Sequence, residues 1–288
     1  MKLIRTQFRI MINKRGFQVS FTMMMLFAVF CFIEGFYLCS VDKNRNYDIA
    51  NLQSADFSFL NESREQRFQT FVFFFPFLVV LPFSFSLFID RSTRIREIVI
   101  TRCSRKEYCY SKLITAFLGG FIIIFIPLII STVLSNCFYS HSVINLFDPN
   151  YSTLTAGEKD FLSMRDLLLE LLVFSPVMGE IAAAFFLSVY AGACAMIALS
   201  VSGIIKRFSV LIFLPVFLLT KLFDLGQSMI KSAYDYTYFN IDPMKYVIIS
   251  SDNPIYGRPY WLFALEMAAM ILISVLLIHV LSKQDNIG

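Results

Sequence analysis

Histidine is nearly absent from this 288-residue chain, which has only His141 and His279. The two fall on opposite sides of the topology derived below. Zinc sites and histidine-based intramembrane proteases need several convergent ligands, so those chemistries are excluded. There is no Gly-x-Ser-x-Gly nucleophile elbow. A Gly-x4-Gly-Lys-Ser/Thr phosphate loop is also missing, so the chain has no route to ATP hydrolysis through that motif. The six cysteines, Cys31, Cys39, Cys103, Cys109, Cys137 and Cys194, form no Cys-x-x-Cys pair. Cys39 and Cys137 both fall near one predicted face and could bridge. Charge is scarce as well. Asp, Glu, Lys and Arg make up 16% of the chain, against roughly a quarter in a soluble domain. No catalytic set and no cofactor site emerges, nothing in the charge suggests nucleic acid, and the chain reads as a non-enzyme.

Apolar length is what the sequence has in abundance. It is 57% hydrophobic with 33 phenylalanines, and its mean hydropathy is +0.65. Several runs reach the roughly 20 residues needed to cross a hydrocarbon core. Six spans are expected, at about 17–39, 68–89, 113–135, 180–205, 208–223 and 260–281. The class is therefore an all-α integral membrane protein with one transmembrane domain over 1–288. The first run is too long for a signal peptide, and its Gly35-Phe-Tyr-Leu-Cys-Ser end lacks a small-residue cleavage site. Pro76 and Pro82 lie inside the second run and Pro127 inside the third. The two in the second run predict a bent helix packed within a bundle, where neighbours satisfy the freed carbonyls. A shorter apolar piece at 164–174 cannot cross and is expected on the outer surface. Another, at 244–249, is short enough to dip back into the outer leaflet.

Ahead of the first span, Lys2, Arg5, Arg9, Lys14 and Arg15 come with no acid. Ile4, Phe8, Met11 and Ile12 share one helical face, as in an amphipathic helix lying along the inner leaflet. An unstructured basic flank is the alternative. Orientation follows from charge density. Fifteen basic residues fall on the amino terminus, the connection after the second span, Lys206-Arg207 and Lys283. The far longer opposite connections hold nine. Both termini are then cytoplasmic.

Small residues recur at four-residue spacing as Ala184, Ser188 and Gly192, as Ala191 and Ala195, and as Ala116 and Gly120. They predict close helix packing, either within the bundle or at a subunit interface. Charged residues in or near the spans are Glu34, Glu180, Lys221, Asp224 and Glu266. Lys221 and Asp224, three apart, can pair. Glu34, Glu180 and Glu266 would make an acidic outer vestibule suited to a cationic substrate.

The most informative stretch is Asp90 to Lys112, the most basic part of the chain, set between two of its most apolar parts. Arg91, Arg94, Arg96, Arg102, Arg105, Lys106 and Lys112 are interrupted by Ile95, Ile98, Val99 and Ile100, then by Tyr108 and Tyr110. The pattern predicts a short amphipathic helix, a turn at Cys103-Ser104 and a second helix entering the membrane. A topology signal alone would need no Ile-Val-Ile face.

The segment IREIVITRCSRKEYCYSKLITAF resembles the connection after the second span in six-span ABC exporter permeases of the second class, which serve drugs, peptides and polysaccharides. Glu97 matches the family's glutamate and Ile98-Val99 its apolar pair. Thr101, Ser104 and Arg105 match its turn, and Lys112 the lysine that opens the third span. The glycine usual before the glutamate is missing, and Arg102-Cys103 stands where proline is common.

The resemblance implies a permease subunit in a bacterial plasma membrane. It would form a homo- or heterodimer with a second permease subunit and bind separate ABC ATPase subunits that hold ATP and Mg. The knob would be their coupling helix, with Glu97, Ile98, Val99, Ser104 and Arg105 at the contact. The expected cargo is a peptide or amphiphile moving outward. A membrane sensor or immunity protein that binds a peptide without moving it is the alternative.

Overall fold

A computed structural model describes residues 2–41, 65–93, 95–101, 103–138, 171, 176–205, 208–233, 242–244 and 260–284. The described elements are all helical. They are α1 (Lys2–Ile12), α2 (Arg15–Val41), α3 (Glu65–Val80), α4 (Ser86–Ser92), α5 (Ile95–Ile100), α6 (Arg105–Phe138), α7 (Pro176–Ser202), a 3₁₀ turn (Ser209–Ile212), α8 (Leu214–Ala233) and α9 (Tyr260–Gln284). Among the described residues, five helical segments are long and apolar enough to cross a membrane: Arg15–Ile33, Arg105–Cys137, Val177–Ser202, Ser209–Gly226 and Tyr260–Lys283.

The expected second span, at 68–89, is not one helix. α3 stops at Val80, and α4 begins at Ser86 after a run of turns. Pro76 is absorbed within α3, but Pro82 is not. Proline has no N–H to donate, and its ring crowds the carbonyl one turn back. The Leu81 N–H donates to the Phe77 carbonyl at 3.1 Å and the Ser84 N–H to Val80 at 3.2 Å; Ser86 then donates three residues back, to Phe83 at 2.9 Å, before Ile89 donates to Phe85 at 2.9 Å. Neighbours fill the break. Gly16, at the start of α2, lies so close to the Leu81 carbonyl that no side chain fits there. Phe85 and Phe77 both pack on Phe213, with centroids 5.3 and 5.1 Å away.

Other boundaries also differ from expectation. α6 starts at Arg105, eight residues before the expected third span, and at 34 residues it is about 51 Å long. That exceeds a hydrocarbon core of about 30 Å, and the basic first turn and the span form one continuous helix with Pro127 inside it. The fifth span runs on past Phe223 to Ala233. The piece expected at 164–174 lies outside the described residues except for 171. Of the piece at 244–249, only Met244 is described, and it is buried.

α7 is the central helix, with every residue from 191 to 200 buried. Its most extensive neighbour is α6, and the small residues explain why. A Cβ on Gly120 would sit 2.8 Å from the Ala191 carbonyl oxygen and 3.0 Å from the Ala195 Cβ. One on Gly192 would meet the Phe117 ring at 2.7 Å. The stripe thus serves packing within the chain. Hydroxyls stitch neighbouring helices through backbone carbonyls: Ser84 donates to Ala195 at 3.3 Å and Ser200 to Ser274 at 3.1 Å. α2, α8 and α9 instead display large apolar side chains outward, among them Leu26, Phe30, Leu222, Met229, Leu272 and Leu276. Apolar cover on this scale suits lipid rather than water.

Candidate functional site

The basic stretch folds into two short helices and the first turns of α6. α5 lies between α4 and α6 and exposes Ile95 and Ile98, the latter 64% accessible. Val99, one residue on, turns inward against the core. Glu97 belongs to α5, but its side chain is outside the described residues. After α5 the chain is held in a fixed turn. The Thr101 hydroxyl donates to the Ile98 carbonyl at 2.7 Å, and the Cys103 N–H donates to Val99 at 3.2 Å.

Ser104 then starts α6 with a reciprocal cap. The Glu107 N–H donates to the Ser104 hydroxyl at 3.2 Å, and the Ser104 N–H donates to the Glu107 carboxylate at 3.3 Å. This Ser-x-x-Glu arrangement satisfies two N–H groups that a helix start would otherwise leave open. Of the expected contact residues, Ile98 stands outward and Val99 packs inward. Ser104 fixes the turn, and Arg105, partly buried, is the first residue of α6.

Sequence reasoning missed the anchorage beneath this knob. The Asp90 carboxylate on α4 accepts hydrogen bonds from the Tyr108 hydroxyl and the Lys112 ammonium, both on α6. Lys112, 1% accessible, also donates to the Ser86 carbonyl at 3.1 Å. Its ammonium faces the rings of Tyr108 at 5.0 Å and Phe83 at 5.6 Å. Lys14, from the corner between α1 and α2, faces the same Phe83 ring at 5.1 Å. Burial pushes the Lys14 pKa below its usual 10.5, and Asp90 opposes that shift.

A second anchor joins α4 to α7. Arg91 Nη1 donates to the Gly203 carbonyl at 3.0 Å, just past the end of α7. The last carbonyls of a helix have no partner within it and carry its negative pole, so a guanidinium is well matched there. A third contact sets the Tyr110 hydroxyl 3.4 Å from His279 Nδ1 on α9. The knob is therefore fastened to three long helices. The sequence held a signal for the first anchor. Tyr108 and Lys112, four apart, share one face of α6, and Asp90 is the acid closing the preceding apolar run.

At the other end of the bundle lie Glu180 and Glu266, two of the expected acids. Glu180 is fully buried, and neither carboxyl oxygen has a hydrogen-bond partner. Glu266 is half-buried and within electrostatic range of Asp242, whose carboxylate accepts the Met244 N–H at 3.0 Å. The Glu34 side chain and His141 lie outside the described residues. Lys221 and Asp224 pair at 4.0 Å on an exposed face. Cys137 is a free, exposed thiol, and the Cys39 side chain lies outside the described residues. Among the described residues, no group of three His, Cys, Asp or Glu side chains converges as a metal site would require.

The chain matches no protein-family model, and no curated protein or solved structure is similar enough to count as a match.

Proposed function

We propose that this chain is the membrane-spanning permease subunit of an ATP-driven exporter of the second ABC class. It would work as a dimer in a bacterial plasma membrane. The broken α3–α4 unit completes a six-span layout with both termini inside, and α1 lies along the inner leaflet. α5 is the coupling helix that a separate ATPase subunit grips.

One observation carries this reading. α5 is a small apolar projection whose base is pinned to the bundle by Asp90–Lys112 and by Arg91–Gly203. A loop that only set topology would need neither the pins nor an outward Ile98. With them, a push on α5 passes through Asp90 into α6 and through Arg91 into the end of α7. These two helices share the most extensive seam among the described elements, so they would move together and open a path at the dimer centre. Closure of the ATPase on ATP supplies the push. A projecting isoleucine within a stretch of basic sequence fits such a contact, because apolar anchors give affinity and rim charges give register and specificity.

The test is purification of the chain from its native membranes in mild detergent. An ATPase subunit should copurify, and a peptide or amphiphile should stimulate ATP turnover. A chain that moves cargo by itself, or that binds a peptide with no ATPase attached, would overturn the reading. The second result would favour a sensor or immunity protein.

A further inference from the structure

The outer end of the α6–α7 seam holds a group of oxygen atoms unconnected with the inner-face anchors. Glu180, the fifth residue of α7, has both carboxyl oxygens enclosed and unpaired. The Thr132 hydroxyl of α6 lies alongside it, short of good hydrogen-bond geometry. Ser135, fully buried, has an unpaired hydroxyl one turn further out. Asn136 folds back so that its Nδ2 donates to the Thr132 carbonyl at 2.8 Å. Its Oδ1 is left enclosed and unpaired. Thr132, Ser135 and Asn136 are three and four residues apart and so share one face of α6.

Leaving a buried acceptor unsatisfied costs about 1–3 kcal/mol, and more for a charged one. Native folds rarely retain several together without a partner. Here the carboxylate oxygens and Asn136 Oδ1 make three such acceptors. Among the described residues, no basic side chain pairs with Glu180. A proton on Glu180 would add one donor to the O–H groups of Ser135 and Thr132, but it would do so by giving up the carboxylate charge. A bound cation would serve all of them together, with the two hydroxyls as further ligands. One carboxylate supplies one negative charge, and no second or third acid, histidine or cysteine joins it. Oxygen ligands with a single charge suit a monovalent cation rather than a transition metal.

We propose that Glu180, Thr132, Ser135 and Asn136 form a binding site for one monovalent cation, either an alkali ion or the ammonium head of a carried molecule. The site rests on the α6–α7 packing alone. Its test needs no ATPase subunit, so its failure would leave the transport reading standing.

The experiment uses the full chain in nanodiscs, with magnesium chloride, which supplies no monovalent cation, holding ionic strength constant. Sodium, potassium and methylammonium are titrated separately at neutral pH, and the thermal unfolding midpoint is read. At least one cation should raise the midpoint saturably, and Glu180→Gln should lose that rise. Asn136→Ala should shift half-saturation to about tenfold higher concentration, as expected for losing one hydrogen bond to a charged group. Saturation by an alkali ion assigns the site to that ion, and saturation by methylammonium alone assigns it to an amine. Should Glu180→Gln not fold, the Asn136→Ala comparison decides. The proposal falls if no cation raises the midpoint, if the variants respond like the wild type, or if acidification alone stabilises the protein with no response to cations.

Discussion

The Lys112 ammonium and the Asp90 carboxylate form an ion pair at one end of the bundle, tying α4 to α6 across the α5 knob. Both ends are needed. Lys112 is sealed by Phe83, Tyr108 and the Ser86 carbonyl, and removing its partner leaves an uncompensated charge. Asp90→Leu should therefore lower stability by about 3–5 kcal/mol, whereas Asp90→Leu with Lys112→Met should regain most of that loss. Thermal unfolding of the three variants at one scan rate checks it. Equal midpoints for the single and double variants would show that the pair is not buried as described.

The seam between α6 and α7 leaves no room for a side chain on its glycines. Gly120→Val would place carbon where the Ala191 carbonyl and the Ala195 Cβ already stand. The helices must part, at an expected cost of about 1–3 kcal/mol or more. Size-exclusion profiles and melting curves in detergent are the readout. A variant as monodisperse and stable as the parent would contradict the packing.

Ser104→Ala removes one half of the reciprocal cap on α6. A lost cap costs about 1 kcal/mol. Because the effect is local, hydrogen exchange should report it better than global unfolding. Amides of 104–107 should exchange about fivefold faster, with the middle of α6 unchanged.

Lys14 should make stability depend on alkaline pH. Burial lowers its folded-state pKa below 10.5, with Asp90 opposing and Lys112 also facing it. Between the lowered value and 10.5, the unfolded chain binds more protons than the folded one. Stability from this group therefore rises with pH across that window. Lys14→Met should flatten the rise, both by removing this titration and by relieving the repulsion on Lys112. Identical slopes would remove this assignment.

Much of the architecture was legible because apolar length and small-residue spacing are local properties of a chain. The runs that became α2, α6, α7 and α9 could be seen directly, and so could the Ala184-Ser188-Gly192 stripe. The break between α3 and α4 was harder to place. Pro76 and Pro82 look alike in sequence, yet only Pro82 stops its helix, at a point where the Gly16 backbone and Phe213 close over the gap. That difference depends on neighbours remote in sequence. For the same reason the knob's composition was visible but its fastening was not. Asp90 meets Lys112, and Arg91 meets Gly203 across 112 positions, only once the helices have packed. Ser104 looked like a docking residue, and its neighbour three residues on, Glu107, reveals its capping role.

The central claim is that a separate ATPase subunit grips α5. Ile98 is 64% exposed and contributes little to the core, so Ile98→Asp should leave melting behaviour within about 0.5 kcal/mol of the parent. The direct measurement is recovery of the ATPase subunit with tagged wild-type and Ile98→Asp chains from the same membranes. The account predicts that ATPase recovery falls at least about tenfold in the variant, with equal amounts of folded chain. Equal recovery with the charged variant, or residue 98 labelled from outside the cell, would contradict it.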